Sequence, residues 1–162
     1  MKNLFLAGGL AFLLVATNSC SKDATNKFNA SVTATVGSVA FASSSSNVNV
    51  GESAPVSGGT TGGTEQVTIT ATSDASSSSY IVIAFGYAAN DVKTYSISDG
   101  EAICAYRASG GGSDDIAVSG TVTITENNSS EVSQGKHLSG TFDFTTSGGD
   151  HITGDFSVQV SY

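Results

Sequence analysis

Leu138-Ser139-Gly140-Thr141-Phe142-Asp143-Phe144 is followed, past Gly148-Gly149, by Ile152-Thr153-Gly154-Asp155-Phe156-Ser157-Val158. An earlier segment, Val118-Ser119-Gly120-Thr121-Val122-Thr123-Ile124, has the same cadence. In all three, even positions hold an apolar residue or glycine and odd positions hold a polar one. Alternation with period two gives a strand one buried and one wet face, as antiparallel sheets allow. Pairing the last two segments about Gly148 sets Phe144 opposite Ile152, Phe142 opposite Gly154 and Gly140 opposite Phe156. Pairing the first two in a matching way sets Ile124 opposite Leu138 and Gly120 opposite Phe142, so Phe142 is expected between two glycines. A glycine inside a strand leaves a gap, and a cross-strand ring laid over that gap restores the contact, contributing about 0.2–1 kcal/mol per pair. The repeat therefore reads as architecture rather than as a tandem ligand motif. The outward Thr121, Thr123, Thr141 and Thr145 are ordinary residues for the exposed face of a sheet.

Working outward, no segment from Phe28 to Tyr162 repeats apolar residues at helical spacing, and short alternating runs are separated by Gly, Ser and Asn clusters. That pattern belongs to an all-β domain. Strands are expected at 28–35, 38–42, 66–72, 80–88, 92–98, 101–107, 116–125, 137–145 and 151–161, with 47–50 as a short edge piece. The longest stretch without a strand pattern, 51–65, contains the only proline, Pro55. It reads as a solvated loop, with a binding loop as the alternative. The two Ser-Ser-Ser-Ser runs, 43–46 and 76–79, read as connectors. The architecture expected is an antiparallel β-sandwich or a partly open up-and-down barrel of about eight or nine strands. It ends in a three-strand meander.

The N-terminus reads as a targeting signal. Lys2 precedes a mostly apolar run, Leu4 to Val15. A membrane-spanning helix needs about 20 apolar residues, so the run suits a signal-peptide core instead. Cys20 follows, then Ser21-Lys22-Asp23. A cysteine placed there resembles the lipobox of bacterial lipoproteins, although Thr17-Asn18-Ser19 departs from the usual Leu and Ala/Ser before the cysteine. The resemblance implies cleavage before Cys20 and acylation of its thiol. Three parts are expected: a signal at 1–19, a lipidated cysteine and tether at 20–27, and one all-β domain at 28–162. With Cys20 acylated, only Cys104 remains, so no intramolecular disulfide forms. The chain carries 14 acidic against 6 basic residues, and Lys2 leaves with the signal. Such a chain repels phosphate backbones and anionic headgroups, which argues against nucleic-acid binding and leaves membrane attachment to the lipid.

Catalytic and metal groupings are hard to assemble. His137 and His151, the only histidines, begin successive antiparallel strands, which separates them by about 25 Å along the sheet. They are expected as strand-end residues rather than metal ligands. Asp114-Asp115 and Asp99-Gly100-Glu101 lack the spacing of a calcium loop and suit turns. No Gly-x-Ser-x-Gly elbow is present, and Cys104, in line with Ala102 and Tyr106, reads as a small buried hydrophobe. No cofactor is expected, no catalytic residue is assigned, and the chain is read as a non-enzyme.

"CSKD" after the signal resembles the acidic tether of Bacteroidota surface lipoproteins, with only Asp23 following Lys22. "SGTVTITE", "LSGTFDFTTS" and "ITGDFSV", together with Phe28-Asn29-Ala30-Ser31-Val32, resemble small lipoproteins of those bacteria that carry a domain of unknown function. That likeness implies an outer-membrane, lipid-anchored β domain on the cell surface or the periplasmic face. The function expected is a binding or interaction module for a protein or glycan. The alternative is a lipocalin-like barrel around a small apolar ligand, for which an interior cavity of about 300 Å³ or more is the mark.

Overall fold

Alternation of apolar and polar residues runs through ten strands of the computed structural model, which describes residues 30–53, 65–87, 92–128 and 136–160. The signal, Cys20, the whole tether, Phe28 and Asn29 of the first expected strand, and residues 54–64 of the long loop lie outside the described residues. The strands are β1 Ser31–Val36, β2 Val39–Ser43, β3 Val48–Ser53, β4 Glu65–Ser73 and β5 Ser76–Tyr87. They continue with β6 Thr94–Ser96, β7 Ala102–Arg107, β8 Asp115–Asn128, β9 Lys136–Thr146 and β10 His151–Val160. A short 3-10 turn, Ser45–Asn47, links β2 to β3. Among the described residues there is no α-helix.

The order across the sheet is β2-β1-β10-β9-β8-β7-β5-β4-β3, with β6 added to one side of β8. Every pairing is antiparallel. β2 approaches β4 and β3 approaches β10, so the ribbon of strands curls into a nearly closed barrel that still has two edges. Asp74 clasps the gap. Its carboxylate accepts from the Ser44 amide (3.1 Å), the Ser44 hydroxyl (3.1 Å) and the Asn47 side-chain amide (2.7 Å). Its own amide donates to the Ala42 carbonyl at 2.9 Å.

The meander β8-β9-β10 forms as the sequence predicts, and β9 and β10 pair in the expected register. Phe144 faces Ile152, Phe142 faces Gly154 and Gly140 faces Phe156. A Cβ added to Gly154 would lie 2.6 Å from the ring tip of Phe142, and one added to Gly140 would lie 2.6 Å from that of Phe156. Each ring thus occupies the gap left by the glycine opposite.

The β8–β9 register is a correction. Gly120 faces Phe144, Val122 faces Phe142 and Ile124 faces Gly140, so Phe142 has a glycine on one side only. A slip of one residue would turn every side chain over, but a slip of two preserves both faces, so alternation could not tell the registers apart. Two bulges frame the paired stretch, one between Ala117 and Ser119 and one between Ile124 and Glu126. The first also reverses the expected orientation of Val118: Ala117 is buried, and Val118 is 57% exposed.

Three boundaries also move. Residues 51–53 and 65, expected in the loop, belong to β3 and β4. Ser76–Ser79, expected as a connector, begins β5, because the hairpin from β4 turns at 74–75 and pairs Ser76 with Ser73 beyond a register shift that follows the Thr72–Tyr80 pair. The 92–98 strand shortens to β6.

The interior is filled from both walls. Ile69, Ile81, Ile83 and Tyr87 on one side and Val122, Ile124, Leu138, Phe144 and Ile152 on the other are fully buried. Burying each such side chain contributes about 1.5–3 kcal/mol. Phe85 of β5 meets Phe156 of β10 at a centroid distance of 6.1 Å and Tyr95 of β6 at 5.2 Å. Rings from opposite walls therefore touch in the middle.

Candidate functional site

With even-numbered residues of β9 and β10 committed to the core, their odd-numbered partners form the outer face. β1 joins this face through Thr33 and Thr35. Register arranges the outward groups in two rows across the three strands. Thr33, Asp155 and Thr141 make one row, and Thr35, Thr153 and Asp143 make the other. The rows line a shallow open depression of about 480 Å³ centred on β10. Gly154 lies on its floor. His151 borders the face through a 2.8 Å contact between its Nε2 and Asp143 Oδ1. A second open depression, about 510 Å³, lies outside β3 and β4 along Asn47, Asn49, Thr70 and Thr72. Hydroxyls both donate and accept hydrogen bonds and carboxylates accept them, so the first face presents a grid of polar contacts backed by a rigid sheet.

The residues singled out in the sequence fall as follows. Cys20 lies outside the described residues. His137 and His151 stand at opposite ends of the β9–β10 hairpin, opposite Gln159 and Thr145. His137 Nε2 is 3.0 Å from the Ser157 hydroxyl, and its Nδ1 is 3.7 Å from Glu126. Among the described residues no three His, Cys, Asp or Glu side chains gather as a metal site would require. Asp115 latches the β9–β10 turn, accepting from Thr146 Oγ1 (2.9 Å), Ser147 Oγ and the Gly148 amide (3.0 Å). The hydroxyls of Ser147 and then Thr146, with the Gly148 amide, hold its carboxyl below the usual aspartate range. Asp114 pairs with Arg107 at 2.7 Å and accepts from the Tyr80 hydroxyl, while the Arg107 guanidinium stacks on the Tyr80 ring. Glu101 accepts from the Ser96 amide at 2.9 Å across a turn in which Gly100 has φ +75°. Cys104 is fully buried, and burial pushes its thiol up to about 12.

Sequence reading missed a second polar cluster, at the end of the barrel where β3, β5 and β8 finish and β9 begins. Lys136 is 3% exposed, with its Nζ 5.1 Å from the centroid of the Tyr87 ring. The Tyr87 hydroxyl donates to Glu52 Oε1 at 3.1 Å. Asn127, which pairs with Leu138, is buried on the same inner face. One signal was available: Lys136 occupies the even position immediately before Leu138, so the alternation of β9 already aims it inward.

The chain matches no known protein family, no curated protein and no solved structure.

Proposed function

We propose that this chain is a lipid-anchored envelope protein whose β domain binds a partner on its outer face and performs no catalysis. One observation carries the reading: the interior is occupied by touching rings from both walls, while the outward rows of β1, β10 and β9 frame an open polar depression. A barrel holding an apolar ligand would need that interior space, so the filled core favours binding outside. The chemistry of the rows suits a neutral, hydroxyl-rich ligand. Threonine hydroxyls and two carboxylates match the donors and acceptors of a glycan, and the net charge of −8 disfavours polyanions. The anchor in this reading comes from the signal and Cys20 expected in the sequence, and the outer-membrane location from the resemblance of the tether to that of surface lipoproteins.

Two measurements test this. Radiolabelled palmitate should enter the wild-type chain and not Cys20→Ala, and equal labelling would refute the anchor. On an array of neutral glycans, the Cys20→Ala chain should be retained, and Thr153→Arg should abolish retention. Thr70→Arg, on the β3–β4 face, should leave it intact. Absence of retention, or equal loss in both variants, contradicts the outer-face reading.

A further inference from the structure

Lys136, Tyr87 and Asn127 bring an amine, a phenol and a carboxamide into one end of a mostly apolar interior, and the half-buried Glu52 adds a carboxylate at its rim. Leu138, Val160 and Tyr87 around them are at most 1% exposed. Asn127 is there because of the second bulge. Before it, the even residues Val122 and Ile124 face the core; after it, the odd residue Asn127 does. Bulges that re-aim one side chain recur beside reactive sites. Asn127 pairs directly with Leu138, and Lys136 lies two residues from Leu138 on the same inner face. The two are diagonal neighbours, whose Cα atoms lie about 7–8 Å apart, a gap that the four-carbon stem of lysine can cross. Tyr87 connects the amine to the carboxylate: Nζ lies over its ring, and its hydroxyl is bound to Glu52.

We infer that this cluster is a self-crosslinking site that joins Lys136 Nζ to Asn127 Cγ through an amide bond. Glu52 takes a proton from the ammonium, and the freed amine attacks the carboxamide carbon. The Nζ–Cγ bond forms as the Cγ–Nδ2 bond breaks. Glu52 returns its proton to the departing nitrogen, which also receives the second proton shed by the attacking one. An ammonium ion leaves, Glu52 ends as it began, and no oxidant or cofactor is consumed. The sheet supplies the orientation that makes such an intramolecular attack fast, and burial keeps water away from Cγ. An ammonium is costly to hold in an apolar interior, and acylation removes that charge permanently. The bond would tie the start of β9 to the end of β8 without a second thiol, in a chain whose described cysteine, Cys104, is buried and free. This inference does not depend on the outer-face reading.

Peptide mass spectrometry of the full chain tests it. Between Arg107 and the C-terminus trypsin has one site, Lys136. An acylated Lys136 resists it, so the digest should yield residues 108–162 as one uncut peptide, lighter by one ammonia. Cleavage after Glu131 should then open this loop into two chains still held together, with fragment ions placing the link at Asn127 and Lys136. Lys136→Arg, Asn127→Ala and the near-isosteric Glu52→Gln should each give the unlinked mass. A wild-type peptide cut at Lys136, with or without loss of ammonia elsewhere, overturns the inference. So does persistence of the link in Asn127→Ala or Glu52→Gln.

Discussion

Gly140 and Gly154 are each confined by two neighbours of different stiffness. A Cβ at Gly140 would lie 2.2 Å from the Thr123 carbonyl oxygen as well as 2.6 Å from the Phe156 ring. At Gly154 the corresponding groups are the Thr33 carbonyl, at 2.2 Å, and the Phe142 ring. A ring tip can rotate aside, but a carbonyl in a paired strand cannot. Gly140→Ala should therefore destabilise by about 1–3 kcal/mol, as overpacking of a tight core does. Adding Phe156→Leu should not recover that loss. Urea unfolding of the single and double variants checks this, and full recovery in the double variant would show that the ring alone excludes the methyl group. Gly120 has a further constraint, a φ of +124° with the Asp143 carbonyl where a Cβ would stand.

Among the elements, turns and clasps decide the acid response. Asp74 and Asp115 are both held below the usual aspartate range. For Asp74 the causes are first the Ser44 amide and then the Asn47 side chain; for Asp115 they are the Ser147 and Thr146 hydroxyls and the Gly148 amide. A carboxyl with a depressed value in the folded chain stabilises above its unfolded value, about 3.9. That contribution is lost as pH falls through the folded value. Unfolding midpoints should therefore drop below about pH 4 in the wild type, and the Asp74→Asn, Asp115→Asn double variant should show a shallower acid decline. An identical decline would remove these two latches from the account. The same scale shows what the sequence disclosed. The β9–β10 register was legible because Phe142, Phe144 and Phe156 each need a specific neighbour across a short turn. The β8–β9 register was not, since a two-residue slip keeps both faces and the bulges at Val118 and Thr125 leave no pattern in residue type. Ser76–Ser79 carries no apolar signal, and the closure of the hairpin by Ser76 opposite Ser73, not the composition of the run, makes it the start of a strand. Of the candidate sites, the outward threonines were visible as residues but their two-row arrangement was not, because it depends on three registers at once. Lys136 was hidden by its charge, which suggests an exposed residue until the parity of β9 is extended to it.

Taken whole, the described strands form one ribbon curled until its rings meet, and this filling of the interior is what favours the proposed binding at the outer face and what withdraws Lys136 from water. The alternation of inward rings with outward threonines underlies all of this, and Phe142 and Thr141 are adjacent residues on opposite sides of it: Phe142 is 3% exposed and Thr141 lies on the solvent side. Equilibrium unfolding in urea of Phe142→Ala and Thr141→Ala is therefore the most direct measurement. Phe142→Ala should lose about 3–5 kcal/mol, as large truncations in a core do, while Thr141→Ala should stay within about 0.5 kcal/mol of the wild type. Equal losses in the two variants would contradict the account.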